Sequence, residues 1–317
     1  RSEKLKQARA DHAAGTIEAQ ALRLIEDQEI KALVAKQEAI GLHSITDGEF
    51  RRAFWHFDFL GGLGGVELFE SDSGIQFKGV QTKATGVRVV SKLHYTPHVM
   101  VEHLKGVTSK TPKMTIPSPS MLHYRGGRKM INMGVYPDMN DFYHDLGETY
   151  AGAVQDFAKA GCRYLQLDDV SFAYLCDPEQ RKMLTERGDD PEKQPHIYAG
   201  MINHAIKNRP SDMVISMHLC RGNFRSTFIA SGGYEPIADL LFNEVNVDAY
   251  FMEWDSDRAG GFEPLRFLPK GKHVVLGLVT SKTGVLESRD ALLRRIEEAA
   301  KYAPLDQLCL SPQCGFA

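Results

Sequence analysis

An α/β fold with a parallel sheet covered by helices is predicted by two observations. Short apolar segments of strand length alternate with helical segments along most of the chain. Several of these strands also run out into a residue suited to chemistry, namely Glu49, Asp168, His218, Glu253 and Cys314. A third observation sets the domain count. The 317 residues contain no Pro/Ser linker, composition shift or internal repeat, so a single domain over 1–317 is expected, and α/β barrels routinely reach this size as one unit.

The elements follow in order. Residues 2–41 read as helix, with Leu22, Ile25, Ile30, Leu33, Val34 and Ile40 recurring at roughly helical spacing. The pattern weakens at 11–15, which leaves two helices open, and Gly41 fits a stop. Strands are predicted at 42–45, 113–116, 163–167, 213–217, 248–252, 274–278 and 308–310. Helices are predicted at 138–160, 191–208, 234–242 and 286–302. The aromatic and glycine-rich stretch 54–86 reads as a long excursion leading into a β-hairpin through 87–93. Its glycines at 61, 62, 64 and 65 lack the flanking strand and helix of a phosphate-binding loop. Seven strands plus a hairpin are one short of a closed (β/α)8 TIM-type barrel, and the natural place for a first strand is upstream of residue 1.

Composition excludes several classes. Lys+Arg 38 against Asp+Glu 41 gives a net charge of -3, so no electrostatic footprint for nucleic acid exists. No apolar run approaches the roughly 18–20 residues of a membrane helix. The five cysteines, Cys162, Cys176, Cys220, Cys309 and Cys314, are an odd and low count for a disulfide framework. No signal peptide is visible, and a cytoplasmic protein with reduced thiols is expected. Cys162, Cys176 and Cys309 read as buried fillers, and Met213 and Met217 as core.

If the strands form a barrel, their C-terminal ends converge on the face that carries the active site. In His218-Leu219-Cys220 the residues at i and i+2 of an extended segment point to one side. Imidazole and thiolate both suit Zn²⁺. Glu253 and Cys314, at the ends of later strands, complete a set of N, S, S and O donors. A packed thiol and a solvated acid remain the plain alternatives. The ligands lie 2, 33 and 61 residues apart, so a metal would join separate strands of a finished fold rather than staple a small one. Elsewhere, Arg125 to Lys129 is a small basic cluster, either a solvated loop or an anion clamp.

Five ordered segments then carry a resemblance. They are Asp47-Gly48-Glu49 with Arg51-Arg52, Tyr164-Leu165-Gln166-Leu167-Asp168-Asp169, Met217-His218-Leu219-Cys220, the Glu253 strand end, and Leu310-Ser311-Pro312-Gln313-Cys314-Gly315. Together they resemble the catalytic half of cobalamin-independent methionine synthase and its short single-domain relatives, over nearly the whole chain. The resemblance implies a β/α barrel with zinc held by His218, Cys220, Glu253 and Cys314. It also implies that Glu49 and Asp168 bind the amino group of homocysteine, and that a methyl donor delivers its methyl to the thiol to give methionine. Lys282 stands where the large synthases place a histidine, and with Asp168 is expected to serve the chemistry. The folate-stacking aromatic falls around His123-Tyr124-Arg125, where the match is poor, so the donor stays open.

Zinc strips the proton from a thiol whose ordinary pKa is about 8.5. The leaving group needs a proton, for which Lys282, Asp169 and His123 are candidates. The short relatives include epoxyalkane:coenzyme M transferases, so addition of coenzyme M or another thiol to an epoxide is the alternative. Arg51, Arg52 and Lys282 could partner its sulfonate, or the carboxylate of homocysteine. A barrel that binds metal or ligand without catalysis is a further alternative, although it would have no need of Glu49 and Asp168.

Overall fold

Seven parallel strands lie side by side in chain order: Ser44–Ile45, Thr111–Pro117, Tyr164–Asp169, Val214–Leu219, Ala249–Glu253, His273–Val279 and Leu308–Pro312. The computed structural model describes residues 1–317 except 72–73, 78–79, 83–84, 105, 107 and 316–317. The sheet curls into the TIM-barrel type of α/β fold that the alternation predicts. Among the described residues no pairing joins Leu308–Pro312 to Ser44–Ile45. No helix is long and apolar enough to cross a membrane among the described residues.

Strand alternation sorts the side chains. Leu165, Leu167, Ile215, Met217, Leu219, Met252 and Leu276 are buried in the main apolar core. The alternate residues form the opposite face in register, with Gln166 beside Ser216, Asp168 beside His218, His218 beside Phe251, and Glu253 beside Gly277. A one-residue slip would exchange the two sets, so the apolar face fixes where the polar one points.

The N-terminal helical stretch is two helices, Glu3–Ala13 and Ala19–Ala39. Ser2 caps the first through its hydroxyl, and Gly15 turns the chain with φ +73°. The long helix Met139–Lys159 begins at Asp138, whose carboxylate accepts the Asn140 N–H. Gln194–Ile206, Ala238–Glu244 and Arg289–Ala299 are the remaining expected helices. One helix of nine residues, Pro178–Glu186, was not expected. Its start is nonetheless written in the sequence, because Asp177 caps it and Pro178 occupies its first turn.

The excursion does contain a hairpin, formed by Gly64–Glu70 antiparallel to Thr85–His94. It is longer than the stretch 87–93 predicts. Part of its intervening loop falls outside the described residues. The hairpin docks on the Met139–Lys159 helix, where Tyr95 Oη donates to Asp156 at 2.6 Å, and on the turn ahead of that helix, where the Leu93 N–H donates to Tyr136 Oη at 2.7 Å. The first strand is only two residues long, Ser44–Ile45, rather than the predicted 42–45. Met213 and Met217 are core, and Cys162 and Cys176 are buried. Cys309 is exposed instead. It sits on the edge strand, with Val275 beside it and no neighbour on its other side among the described residues.

Candidate active site

The polar ends of the strands meet at one face. One donor atom from each of His218, Cys220, Glu253 and Cys314 lies within 4.8 Å of the other three. His218 is the penultimate residue of its strand, and Cys220 directly follows that strand. Glu253 ends the next strand, and Cys314 follows the last one by two residues. The Cys220 and Cys314 sulfurs are 3.7 Å apart, too far for a disulfide and within contact of a shared proton.

Each group is held from behind. Glu253 is fully buried, and Oε1 accepts the Arg221 N–H at 2.9 Å. Its Oε2 accepts from the Arg258 guanidinium at 2.9 Å, and Arg258 also bonds Asp255 at 2.8 Å. The Gly222 N–H points at Cys220 Sγ, 3.3 Å away. His218 Nε2 is buried and makes no hydrogen bond, an orphaned nitrogen on a residue of this cluster. Gly277 lies directly behind. A Cβ there would come within 2.7 Å of Gln313 Cα and 2.8 Å of the Met252 carbonyl oxygen, so only glycine lets the Cys314 loop close against the Glu253 strand.

The charges are strongly coupled. The Cys220–Cys314 contact splits the two thiols, lowering Cys314 well below the ordinary thiol range and raising Cys220 above it. Burial alone would lower the His218 imidazole, but Cys314, Asp168 and Glu253 outweigh it and push it up to about 9. The cluster therefore favours one thiolate beside a cation. A soft N, S, S, O donor set that already carries thiolate character is chemistry that fits a bound Zn²⁺. Two thiolates on one tetrahedral zinc, each at about 2.3 Å, stand roughly 3.8 Å apart, close to the separation seen here.

Glu49 and Asp168 share the same face. Gly48 and Glu49 are consecutive left-handed residues, at φ +67° and +57°. Such a conformation in glutamate costs of order 1 kcal/mol or more, and marks a side chain placed against local preference. Glu49 Oε1 accepts from Thr115 Oγ1 at 2.6 Å and from Arg52 at 3.1 Å. Asp168 Oδ1 accepts from Gln166 Nε2 at 2.6 Å. Burial raises the Asp168 carboxyl to about 6; His218 and Arg52 oppose the rise, and Glu49 adds to it.

The candidate acids separate cleanly. Lys282 Nζ lies at the mouth and donates to Asn223 Oδ1 at 2.7 Å and to the Thr227 carbonyl at 3.0 Å. Burial lowers it, while Glu253, Cys220 and Cys314 pull it back up. Asp169 points into the protein instead, accepting from Ser120, from Ser171 at 2.8 Å and from the Phe172 N–H at 3.0 Å. His123 is buried between Tyr198 Oη at 2.8 Å and Tyr143 Oη at 3.3 Å. Burial lowers His123 to about 4, so it is a neutral structural side chain at pH 7. Arg51 is tied to Asp27 at 2.6 Å, and Arg52 is buried against Glu49 and the Thr115 carbonyl at 2.6 Å. Neither arginine faces solvent as a free anion partner.

Sequence reasoning did not find Arg258 and Arg221, which grip Glu253. Arg221 directly follows Cys220, but its backbone N–H makes the contact, and no residue pattern announces that.

Comparison with known proteins agrees with this geometry. The family model described as "Cobalamin-independent synthase, Catalytic domain" matches residues 1–317. The chain is 49% identical over 322 residues to the Bacillus subtilis (strain 168) protein YxjH, covering 100% of this chain and 85% of that one. A Pyrococcus abyssi methionine synthase is 24% identical over 287 residues, covering 90% and 74% of the two chains. Among solved structures, a Listeria monocytogenes protein described as a candidate vitamin-B12 independent methionine synthase superposes with TM-score 0.80 at 42% identity, covering 100% and 88%. A B12-independent methionine synthase from Shewanella sp. W3-18-1, solved with selenomethionine, gives TM-score 0.72 at 17% identity over 95% and 84%, which speaks to the fold. With a strand-end site of this kind and a family match over its full length, the chain belongs to the cobalamin-independent methionine synthase catalytic-domain family of methyltransferases.

Proposed function

We propose that the protein is a zinc-dependent S-methyltransferase that methylates a thiol, with homocysteine as substrate and methionine as product. The observation that carries this reading is the meeting of four donor groups, within 4.8 Å, with two carboxylates on one face. His218, Cys220, Glu253 and Cys314 would hold the metal. Bound there, zinc would supply Lewis-acid activation of a substrate thiol, making it a nucleophile at neutral pH.

The chain's own residues do the rest. Glu49 and Asp168 accept hydrogen bonds from the substrate ammonium and offset its desolvation. Arg52 and Thr115 hold Glu49 in place, and Gln166 holds Asp168. Arg258 and the Arg221 N–H fix the Glu253 carboxylate. Lys282, the candidate acid at the mouth, delivers a proton to the departing group. The buried flank of the cluster excludes water that would compete with the thiol.

Metal analysis of the purified protein, with product mass after incubation with homocysteine and methyl donors, tests the reading. About one zinc per chain and S-methylated product are expected. A metal-free active protein would overturn it. Addition of coenzyme M to an epoxide, in place of methyl transfer, would establish the alternative. Chelation should abolish activity while far-UV circular dichroism stays nearly unchanged, because a large apolar core, not the metal, orders these strands.

A further inference from the structure

The basic cluster Arg125 to Lys129 divides in the structure. Lys129 is exposed. Arg128 is tied to the Tyr136 carbonyl at 2.6 Å and to Met139 Sδ at 3.3 Å. Arg125 does neither. It caps the short helix Ser120–Tyr124, and its Nε is buried with no hydrogen-bond partner. No carboxylate pairs with it among the described residues.

Two neighbours share this condition. His56 is 3% exposed, and neither ring nitrogen has a partner. Tyr174 is 2% exposed, and its hydroxyl is equally unpaired. The charge of Arg125 acts on both of them. The Tyr124 ring, adjacent in sequence to Arg125, packs edge-on against Tyr174 with centroids 5.7 Å apart. The short helix Ser171–Tyr174 packs against Val214–Leu219, the strand that leads directly into Cys220, which brings this group to the side of the metal cluster. Each buried unpaired polar atom costs free energy, and native proteins rarely keep one, let alone four together. Trp55 and Phe57 flank His56 in sequence and lie against its ring, with centroids 4.4 Å and 3.9 Å away, so the surroundings are otherwise aromatic.

We propose that Arg125, His56 and Tyr174 form an anion subsite next to the metal cluster, taking a carboxylate or chemically similar oxyanion of a small-molecule substrate. The guanidinium supplies charge and a planar donor fork, and the tyrosine hydroxyl and one imidazole N–H supply neutral donors. The group comes from the thiol substrate or from the alkyl donor. It completes a division of labour in which Glu49 and Asp168 take the cationic end. This inference rests on the thiol methyltransferase reading for the identity of the ligand, but not for the existence of the subsite.

Calorimetric titration of zinc-loaded wild type and Arg125→Gln tests it with three probes. These are homocysteine, 3-aminopropane-1-thiol (which lacks the carboxylate), and sulfate added with and without saturating homocysteine. If the thiol supplies the anion, Arg125→Gln weakens homocysteine roughly tenfold or more and leaves the aminothiol unchanged. If the donor supplies it, both thiols bind the variant normally, and sulfate binds the wild-type homocysteine complex but not the variant complex. Equal binding of all probes by the two proteins overturns the subsite. Should neither thiol bind wild type, the methyltransferase reading fails, while the sulfate arm without thiol still reports on Arg125. Arg125→Lys keeps the charge without the fork and should fall between the two. Unchanged zinc content and circular dichroism in both variants separate a lost contact from a lost fold.

Discussion

On one side of the mouth, His218, Cys220, Glu253 and Cys314 stand on or just beyond strands of five or six residues. The ladders beside His218 and Glu253 are in continuous register, while the pairing of His273–Val279 with Leu308–Pro312 shifts register just after Gly277, the residue that closes the gap behind Cys314. On the other side, Glu49 follows a strand of two residues and sits in a left-handed conformation. It is held by side chains, through Arg52 and Thr115, rather than by a ladder. The proposed metal ligands are thus positioned by the sheet, as is Asp168 beside His218, whereas Glu49, the other proposed substrate acid, stands on a braced turn. Sheet register keeps donor atoms to a narrow geometry, whereas a turn can hold an acid that must meet an arriving ligand.

This contrast can be broken in a definite order. Cys220→Ser should have the largest effect, reducing zinc to a small fraction of one per chain by native mass spectrometry, while Glu49→Gln keeps it. Equal zinc loss in both variants would mean the two halves are not separable.

His123 gives the next largest effect, and shows that a polar residue near the site can be scaffold. Its folded-state value of about 4 lies below the ordinary 6.5. Between those values the unfolded chain takes up a proton that the folded chain refuses, so stability falls as pH drops from about 6.5 to about 4. The full loss is about 3 kcal/mol. Denaturant unfolding at pH 7 and pH 4.5 should show this pH-dependent loss in wild type, reduced in His123→Gln, with zinc content the same in both proteins.

Asp168→Asn should weaken homocysteine by about one to two decades, the worth of a charge-assisted pair of about 1.5–3 kcal/mol. Zinc content should not change. Homocysteine affinity equal to wild type in a calorimetric titration would remove Asp168 from the binding half. The smallest effect is expected at Gly277→Ala. Its Cβ meets backbone on two sides, so overpacking of about 1–3 kcal/mol should lower the unfolding midpoint. Partial zinc loss should accompany it, since the displaced backbone carries Cys314. A fully stable, fully loaded alanine variant would show that the loop has slack.

The order of strands and helices, the hairpin and the strand-end polar residues were legible in the chain, because periodicity and strand-end placement are local properties. So was the donor set, whose four residues the structure gathers within 4.8 Å. Sequence alone could not separate the look-alikes. Asp168 and Asp169 are adjacent, yet alternation across the strand sends one to the mouth and buries the other among Ser120, Ser171 and Phe172. Lys282 and His123 were equal candidates as acids until packing placed one at the mouth and enclosed the other between two tyrosines. Arg125 differs from Arg128 only in what surrounds it. The first kind of information is carried by residue type and spacing. The second depends on which side chains arrive from distant strands, and that is set only when the sheet has curled and its two faces have separated.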